Sequence, residues 1–275
     1  MNIKKIWIKY NRLTLGAILF FAFVLSAIFA PYVATHDPLL FNMQDRMKSP
    51  SAEHLCGTDA YGRDIFSRIV FGTRVSLTIA LSVLVLCGVF GTIFGLLAGY
   101  YKWADALIMR VMDGLMAFPS ILLALVILAA LGAGIQNIIL ALTITHVPRV
   151  TRTVRSTAIS IKEFEHVEAA KAMGASDARI IFKYILPLCV SPLIVRLTLM
   201  MAVTILSEAT LTFLGVGLSP EIPSWGNSLS EGRQYITTSP YMILYPGIAI
   251  VLSVVSLNMM GDSLRDILDP RLNSN

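Results

Sequence analysis

Side chains able to do chemistry are few in this chain, and they are widely separated. Its four histidines, His36, His54, His146 and His166, stand at least 18 residues apart, and no two have metal-ligand spacing. A nickel route through His146 and neighbouring methionines is conceivable, but an ordinary interfacial histidine is the expectation, and no metal site is assigned. Met109, Met112 and Met116 share one helical face and are read as fillers of packing gaps. Cys56, Cys87 and Cys189 offer neither ligand spacing nor a disulfide framework and are expected to be inert. No Gly-Lys pair occurs anywhere, so no phosphate-cradling loop of the Gly-x4-Gly-Lys type exists. No Gly-x-Ser-x-Gly elbow and no His-Glu-x2-His is present either, which weighs against an intramembrane protease. No catalytic residue and no cofactor bound by this chain are expected.

Four features remain. The first is His54-x2-Gly57-Thr58-Asp59-x2-Gly62-Arg63-Asp64. Its glycines permit tight turns, Asp64 can cap a helix beginning at Ile65, and Arg63 has Asp59 and Asp64 in reach. Structural support of a loop is expected there over contact with substrate. The second is Glu168-Ala169-Ala170-x3-Gly174, followed by Leu186-Pro187. Gly174 can supply the left-handed residue that ends a helix, Ala175 to Ile185 can form another, and Pro187 marks a new start. Spacing alone leaves open whether this helical pair docks on a partner or lies on a bilayer. The third is Gly261-Asp262-x2-Arg265-Asp266-x2-Asp269-Pro270, in which Asp262 can cap a short helix that Pro270 ends. The fourth is Glu208, an acid inside an apolar run, where it must face the bundle or a wet cavity. Packing, with a hydrogen bond to Ser207, Thr210 or another helix, is the plainer role; lining a translocation path for a cationic group is the sharper one.

The elements that carry these features are membrane spans. With 56% hydrophobic and 14% charged residues over 275 positions, the chain is far from a soluble domain's roughly 25% charge. A net charge of +5 without a basic, aromatic-interleaved stripe excludes a nucleic-acid module. Charge-free intervals mark six spans. The first covers residues 13–36, too long for a signal peptide's apolar region and without a clear cleavage site. The second covers Val75 to Tyr101 and carries Gly91, Gly95 and Gly99 on one face, where a neighbour can approach closely. Gly114 to Pro148 is uncharged for 35 residues, about 52 Å as a helix, so it makes two spans broken at Gly132-Ala133-Gly134. Pro119 falls inside the third of these as a tolerable kink. The fifth runs from about Leu193 to Val216 and the sixth from Tyr241 to Met260.

Sixteen Lys and Arg fall on the side of the N-terminus and six on the other, which places both termini in the cytoplasm. The resulting organisation is a cytoplasmic N-terminus at 1–12, a first helix at 13–36 and an extracytoplasmic segment at 37–74. A transmembrane core follows at 75–260, with a cytoplasmic loop at 149–187, and then a cytoplasmic tail at 261–275.

Glu-Ala-Ala-x3-Gly followed by Leu-Pro resembles the cytoplasmic signature of permease subunits of bacterial ABC importers. Tyr184 stands where that pattern usually has Ile. The motifs at 54–64 and 261–270, with Met109-Arg110-x2-Asp113, Phe118-Pro119 and Phe213-Leu214-Gly215, resemble the dipeptide, oligopeptide and nickel branch, as its C-type permease. The resemblance spans about Asp37 to Arg271. It implies an all-α type I importer permease whose Glu168 loop is the coupling helix for an ATP-binding subunit. It further implies a second related permease, two ATP-binding subunits that hold ATP and Mg, an extracytoplasmic solute-binding protein, and dipeptide or oligopeptide import. Nickel-chelate and glutathione permeases are similar. A secondary transporter, the rival of another class, would show more intramembrane charges and repeated halves.

Overall fold

The computed structural model describes residues 3–268, with side chains from residue 11 onward. The described chain is helical, apart from loops and one isolated bridge between Thr58 and Asp64. Helix α1 spans Ile3–Ile28 and a short α2 spans Ala30–Val33. After a long loop come α3 (Ile65–Tyr100), α4 (Lys102–Met116), α5 (Ser120–Leu131) and α6 (Ile135–Lys162). Next are α7 (Glu165–Ala172), α8 (Asp177–Arg179) and a π-helical turn (Ile180–Ile185) running into α9 (Leu186–Phe213). Then α10 (Trp225–Gly232) precedes α11 (Tyr241–Leu268).

Four helical stretches are long and apolar enough to cross a membrane: Asn11–Ile28, Ile65–Tyr100, Asp177–Phe213 and Tyr241–Leu268. The pair α4 and α5 qualifies as a fifth, but it is bent by 89°. That bend corrects the single third span. Pro119, whose ring restricts the residue before it, stands at the start of α5 instead of kinking a continuous helix. The Gly132 and Gly134 break is where the sequence places it: both have positive φ, and α6 begins at Ile135.

Charge boundaries proved poor guides to helix ends. Helix α3 starts ten residues before Val75, and α6 continues past Arg149 to Lys162 with Pro148 buried inside it. Pro187 stands in the first turn of α9, as expected of a new start, although the π-turn leads into that helix without a loop between them. Asp262 caps nothing: α11 runs through it to Leu268. Gly261 is there for space, since a Cβ would sit 2.6 Å from the Leu199 side chain. Asp269 and Pro270 lie outside the described residues.

The most extensive interface joins α3 to α6. Cβ atoms built on Gly91, Gly95 and Gly99 would each lie 2.6 Å from Val150, Val154 and Ala158, respectively. Small residues let the two backbones approach closely, as the four-residue spacing indicated. One apolar core lies along α3, α5, α6 and α9, and a second joins α1, α3, α9, α10 and α11. Trp225 fills the junction of the second, fully buried, with its indole N–H donating to the Ile69 carbonyl at 3.1 Å. Large apolar side chains such as Val85, Val126 and Val251 face outward, as expected of helices in a lipid or protein surround.

Gly95→Leu inserts a branched side chain where Val154 already stands. Overpacking of this kind costs about 1–3 kcal/mol, so the variant should unfold at a lower temperature in detergent and assemble poorly. Gly114→Ala meets nothing within 4 Å and should be neutral or mildly stabilising. Equal unfolding temperatures for Gly95→Leu and wild type would show that the α3–α6 seam is not tight.

Candidate functional site

The loop before α3 folds around its two glycines. Gly57 and Gly62 have φ of +78° and +75°, and a Cβ on either would strike the Lys48 or Asn42 carbonyl. Asp64 caps α3, accepting from the Ser67 backbone N–H at 2.8 Å and the Ser67 hydroxyl at 2.7 Å. Thr58 pins an earlier part of the loop: its hydroxyl accepts from Lys48 N–H at 2.8 Å and donates to the Asp45 carbonyl. Lys48 in turn pairs with the Asp45 carboxylate, holding that carboxyl below its usual range.

Arg63 selects Asp59, with Nε donating at 2.6 Å, while Asp59 also accepts from the backbone N–H of Tyr61 and Arg63. The guanidinium lies over the Tyr61 and Phe41 rings. Its far end reaches Glu231 on α10 at 2.6 Å, and Arg68 of α3 reaches the same carboxylate at 3.3 Å. Both arginines are buried. Glu231 and Arg68 carried no sequence signal, because Glu231 lies 168 residues from Arg63 and only the fold joins them. A cavity of about 640 Å³ opens beside this network, lined by Phe41, Arg63, Asn227 and Glu231 among others. Cys56 sits nearby. Burial first, and the Asp64 charge second, push its thiol up to about 11, so it stays protonated at neutral pH.

At the opposite end, α7 carries the Glu168-Ala169-Ala170 sequence. Val167 and Ala170 are buried, whereas Glu168 and Ala169 face outward. Helix α7 ends as the glycine predicts. Gly174 has φ +80°, its N–H donates to the Lys171 carbonyl at 3.0 Å, and the Ala175 N–H donates to the Ala170 carbonyl at 3.1 Å. A Cβ there would meet nothing within 4 Å, so conformation rather than space requires glycine. Met173 just before the turn and Phe182 beyond it are 81% and 65% exposed, an apolar display on the surface. Leu186 is half-buried and Pro187 exposed.

This unit is fastened to the membrane helices by polar contacts. Lys162, at the end of α6, donates to the Tyr100 carbonyl at 2.8 Å and lies over the Tyr100 ring. The Tyr100 and Tyr101 hydroxyls donate to the two oxygens of Asp177, at 2.7 and 3.1 Å. Arg155 of α6 grips Asp105 of α4 with two hydrogen bonds. The ends of α3, α6 and α8 are therefore tied together, and α7 is the segment that connects α6 to α8. Asp262, Arg265 and Asp266 lie exposed on the last turns of α11, away from α7, and Arg265 shares a groove with Arg196.

Glu208 is fully buried. Its two oxygens accept from the Ser76 hydroxyl of α3 at 2.9 Å and the Thr212 hydroxyl at 3.1 Å. It thus faces the bundle, with Ser76 and Thr212 as partners in place of Ser207 or Thr210. His146, expected at an interface, is buried in α6 with neither ring nitrogen hydrogen-bonded.

Comparison with known proteins agrees with this layout. Residues 91–274 match the family described as the binding-protein-dependent transport system inner membrane component. The dipeptide transport system permease protein of Alkalihalophilus pseudofirmus is 47% identical, covering 97% of this chain and 88% of its own. The glutathione transport system permease protein of Pectobacterium atrosepticum is 40% identical, covering 98% and 92%. The fold is similar to that of an inward-facing MetNI methionine ABC transporter, with TM-score 0.58 and 21% identity over 74% of this chain and 98% of that one. The chain belongs to the inner-membrane components of binding-protein-dependent transport systems and is a permease subunit of an ABC importer.

Proposed function

We propose that this subunit forms half of a peptide-import pathway in a multi-pass inner-membrane complex and is driven through α7. One observation carries the coupling assignment. The Glu168 helix buries Val167 and Ala170 and turns Glu168 outward, with the apolar Met173 at its end and Phe182 in the following π-turn also exposed. A docking segment must combine those two properties. The partners are a second, related permease, two ATP-binding subunits that bind ATP and Mg and hydrolyse the nucleotide, and an extracytoplasmic solute-binding protein. Closure of the ATP-binding subunits shifts the permease pair between inward- and outward-facing populations.

In this reading six crossings are made by α1, α3, the bent α4–α5 pair, α6, the α8–α9 stretch and α11, with both termini cytoplasmic. At 28 residues α6 is about 42 Å long, sufficient to cross and still reach α7. Dipeptides or oligopeptides are the proposed cargo, because relatives that match nearly the whole chain carry dipeptide or di/tripeptide permease names. Glutathione, itself a peptide, is the second cargo, on the name of another such relative. Glu208 is assigned to bracing α3 against α9 rather than to the path, because both of its oxygens are held by buried hydroxyls.

Gly174→Val should abolish transport and substrate-stimulated ATPase activity while the complex still assembles, because a β-branched residue resists the positive φ of the turn. Reconstituted proteoliposomes check this. Wild-type coupling in that variant would remove α7 from the drive train. Glu208→Gln keeps the shape and one acceptor, so transport across pH 6 to 8 should stay near wild type. Glu208→Leu strands two buried hydroxyls at about 1–3 kcal/mol each, and its unfolding temperature should fall. A tenfold loss of transport in Glu208→Gln without a drop in unfolding temperature would instead put the charge in the path.

A further inference from the structure

The histidines that the sequence keeps 18 residues apart meet in the fold. His36 follows α2, His54 lies in the loop, and Asp64 caps α3. One ligand atom from each lies within 4.8 Å of the others. The Asp64 Oδ1 oxygen stands 3.0 Å from His54 Nδ1 and 3.9 Å from His36 Nδ1, and the two rings lie 4.7 Å apart. His54 is only 3% exposed, and Asp64 is buried with it.

Within the protein His36 Nδ1 lies 3.0 Å from the Thr35 hydroxyl, a contact that an ion would replace, and hydrogen bonding leaves one nitrogen of His54 unsatisfied. If His54 donates from Nδ1 to Asp64, a neutral ring turns its Nε2 lone pair towards the Asp45 carboxylate, 3.9 Å away. That nitrogen is buried without a hydrogen-bond partner. A cation bound at Nδ1 reverses the tautomer. Nδ1 then supplies its lone pair, and Nε2–H points at Asp45, the carboxylate–histidine–metal relay common around such ions. The other carboxylate oxygen, Oδ2, is already oriented by Ser67 N–H and Oγ–H and by the Thr35 hydroxyl at 3.3 Å. His36 is held through its own backbone N–H, which donates to Ser67 Oγ at 3.0 Å. With its side chain 35% exposed, His36 also leaves a way in from solvent.

We infer that His36, His54 and Asp64 form a binding site for a divalent transition cation of zinc type. Two imidazole nitrogens and one carboxylate oxygen are a donor set suited to zinc, with a fourth position open to water. The ion would be resident rather than cargo, tying the end of α2 and the loop to the first turn of α3. The inference is independent of which solute is imported.

The test uses the tag-free assembled transporter, stripped with EDTA, loaded with zinc chloride and freed of excess by gel filtration. Retained zinc is measured by mass spectrometry, and unfolding temperature is followed with and without zinc. Wild type should retain about one zinc per permease chain and unfold at a higher temperature with it, since an ion that binds only the folded state stabilises that state. His36→Ala and His54→Gln should each weaken retention by about tenfold or more, while His166→Ala should behave as wild type. His36 is half-exposed, so its variant should fold and match EDTA-treated wild type in unfolding temperature. Retention below about a tenth of an equivalent by wild type, or wild-type retention by His36→Ala and His54→Gln, overturns the site.

Discussion

Everything at the α7 end of this subunit depends on how closely α3 and α6 approach. Gly91, Gly95 and Gly99 leave no room for even one carbon between the two backbones. Inside a bilayer there is no hydrophobic force pulling helices together, so contact area and close packing must supply the association. The seam runs to the end of α3, where Tyr100 meets Lys162 of α6 and Asp177 of α8. Because the helices are fixed along this length, their ends stand in fixed register where α6 leads into α7. A looser seam would let α7 tilt without moving anything in the membrane.

The two ends of the bundle are held differently from its middle. At the end where α3 begins, Asp59, Arg63, Arg68 and Glu231 form a buried network spanning the loop, α3 and α10. Such networks give geometric definition more than net stability, since desolvating the charges offsets much of their attraction. Their value here is positional. The arginines fix the loop and α10 relative to α3 beside the cavity. In the middle, small residues and one buried acid, Glu208, do the equivalent work with less charge.

The sequence made the local devices legible because each depends on residues a few positions apart. The cap by Asp64, the turns at Gly57, Gly62 and Gly174, and the Gly91-Gly95-Gly99 face all follow from backbone geometry that a short motif specifies. Helix ends were less legible, since the absence of charge reports where lipid lies and not where a helix stops. Thus α6 runs on past Arg149, and α11 runs through Asp262. Asp262 was misread as a cap because an acid inside a continuing helix looks, in sequence, the same as one that begins a new helix. Pairings across the fold, Arg63 with Glu231 or His36 with His54, were invisible for the simplest reason: no local rule connects them.

The way α7 is attached bears on how force could pass through it. Val167 and Ala170 bury only small apolar side chains beneath the helix, too little to hold it against a moving partner by themselves. The stronger attachments lie at its flanks, where Lys162 meets the Tyr100 carbonyl and Asp177 meets two tyrosine hydroxyls. A push on the exposed face is therefore delivered to the ends of α3, α6 and α8 together rather than to one helix. Helix α8 leads through the π-turn into α9, and α9 is braced to α3 again by Glu208 and Ser76 further along the bundle. The α8–α9 stretch and α3 are thus joined at two levels. Such a frame moves as a body, which suits a switch between two packed states better than a gradual bend of one helix.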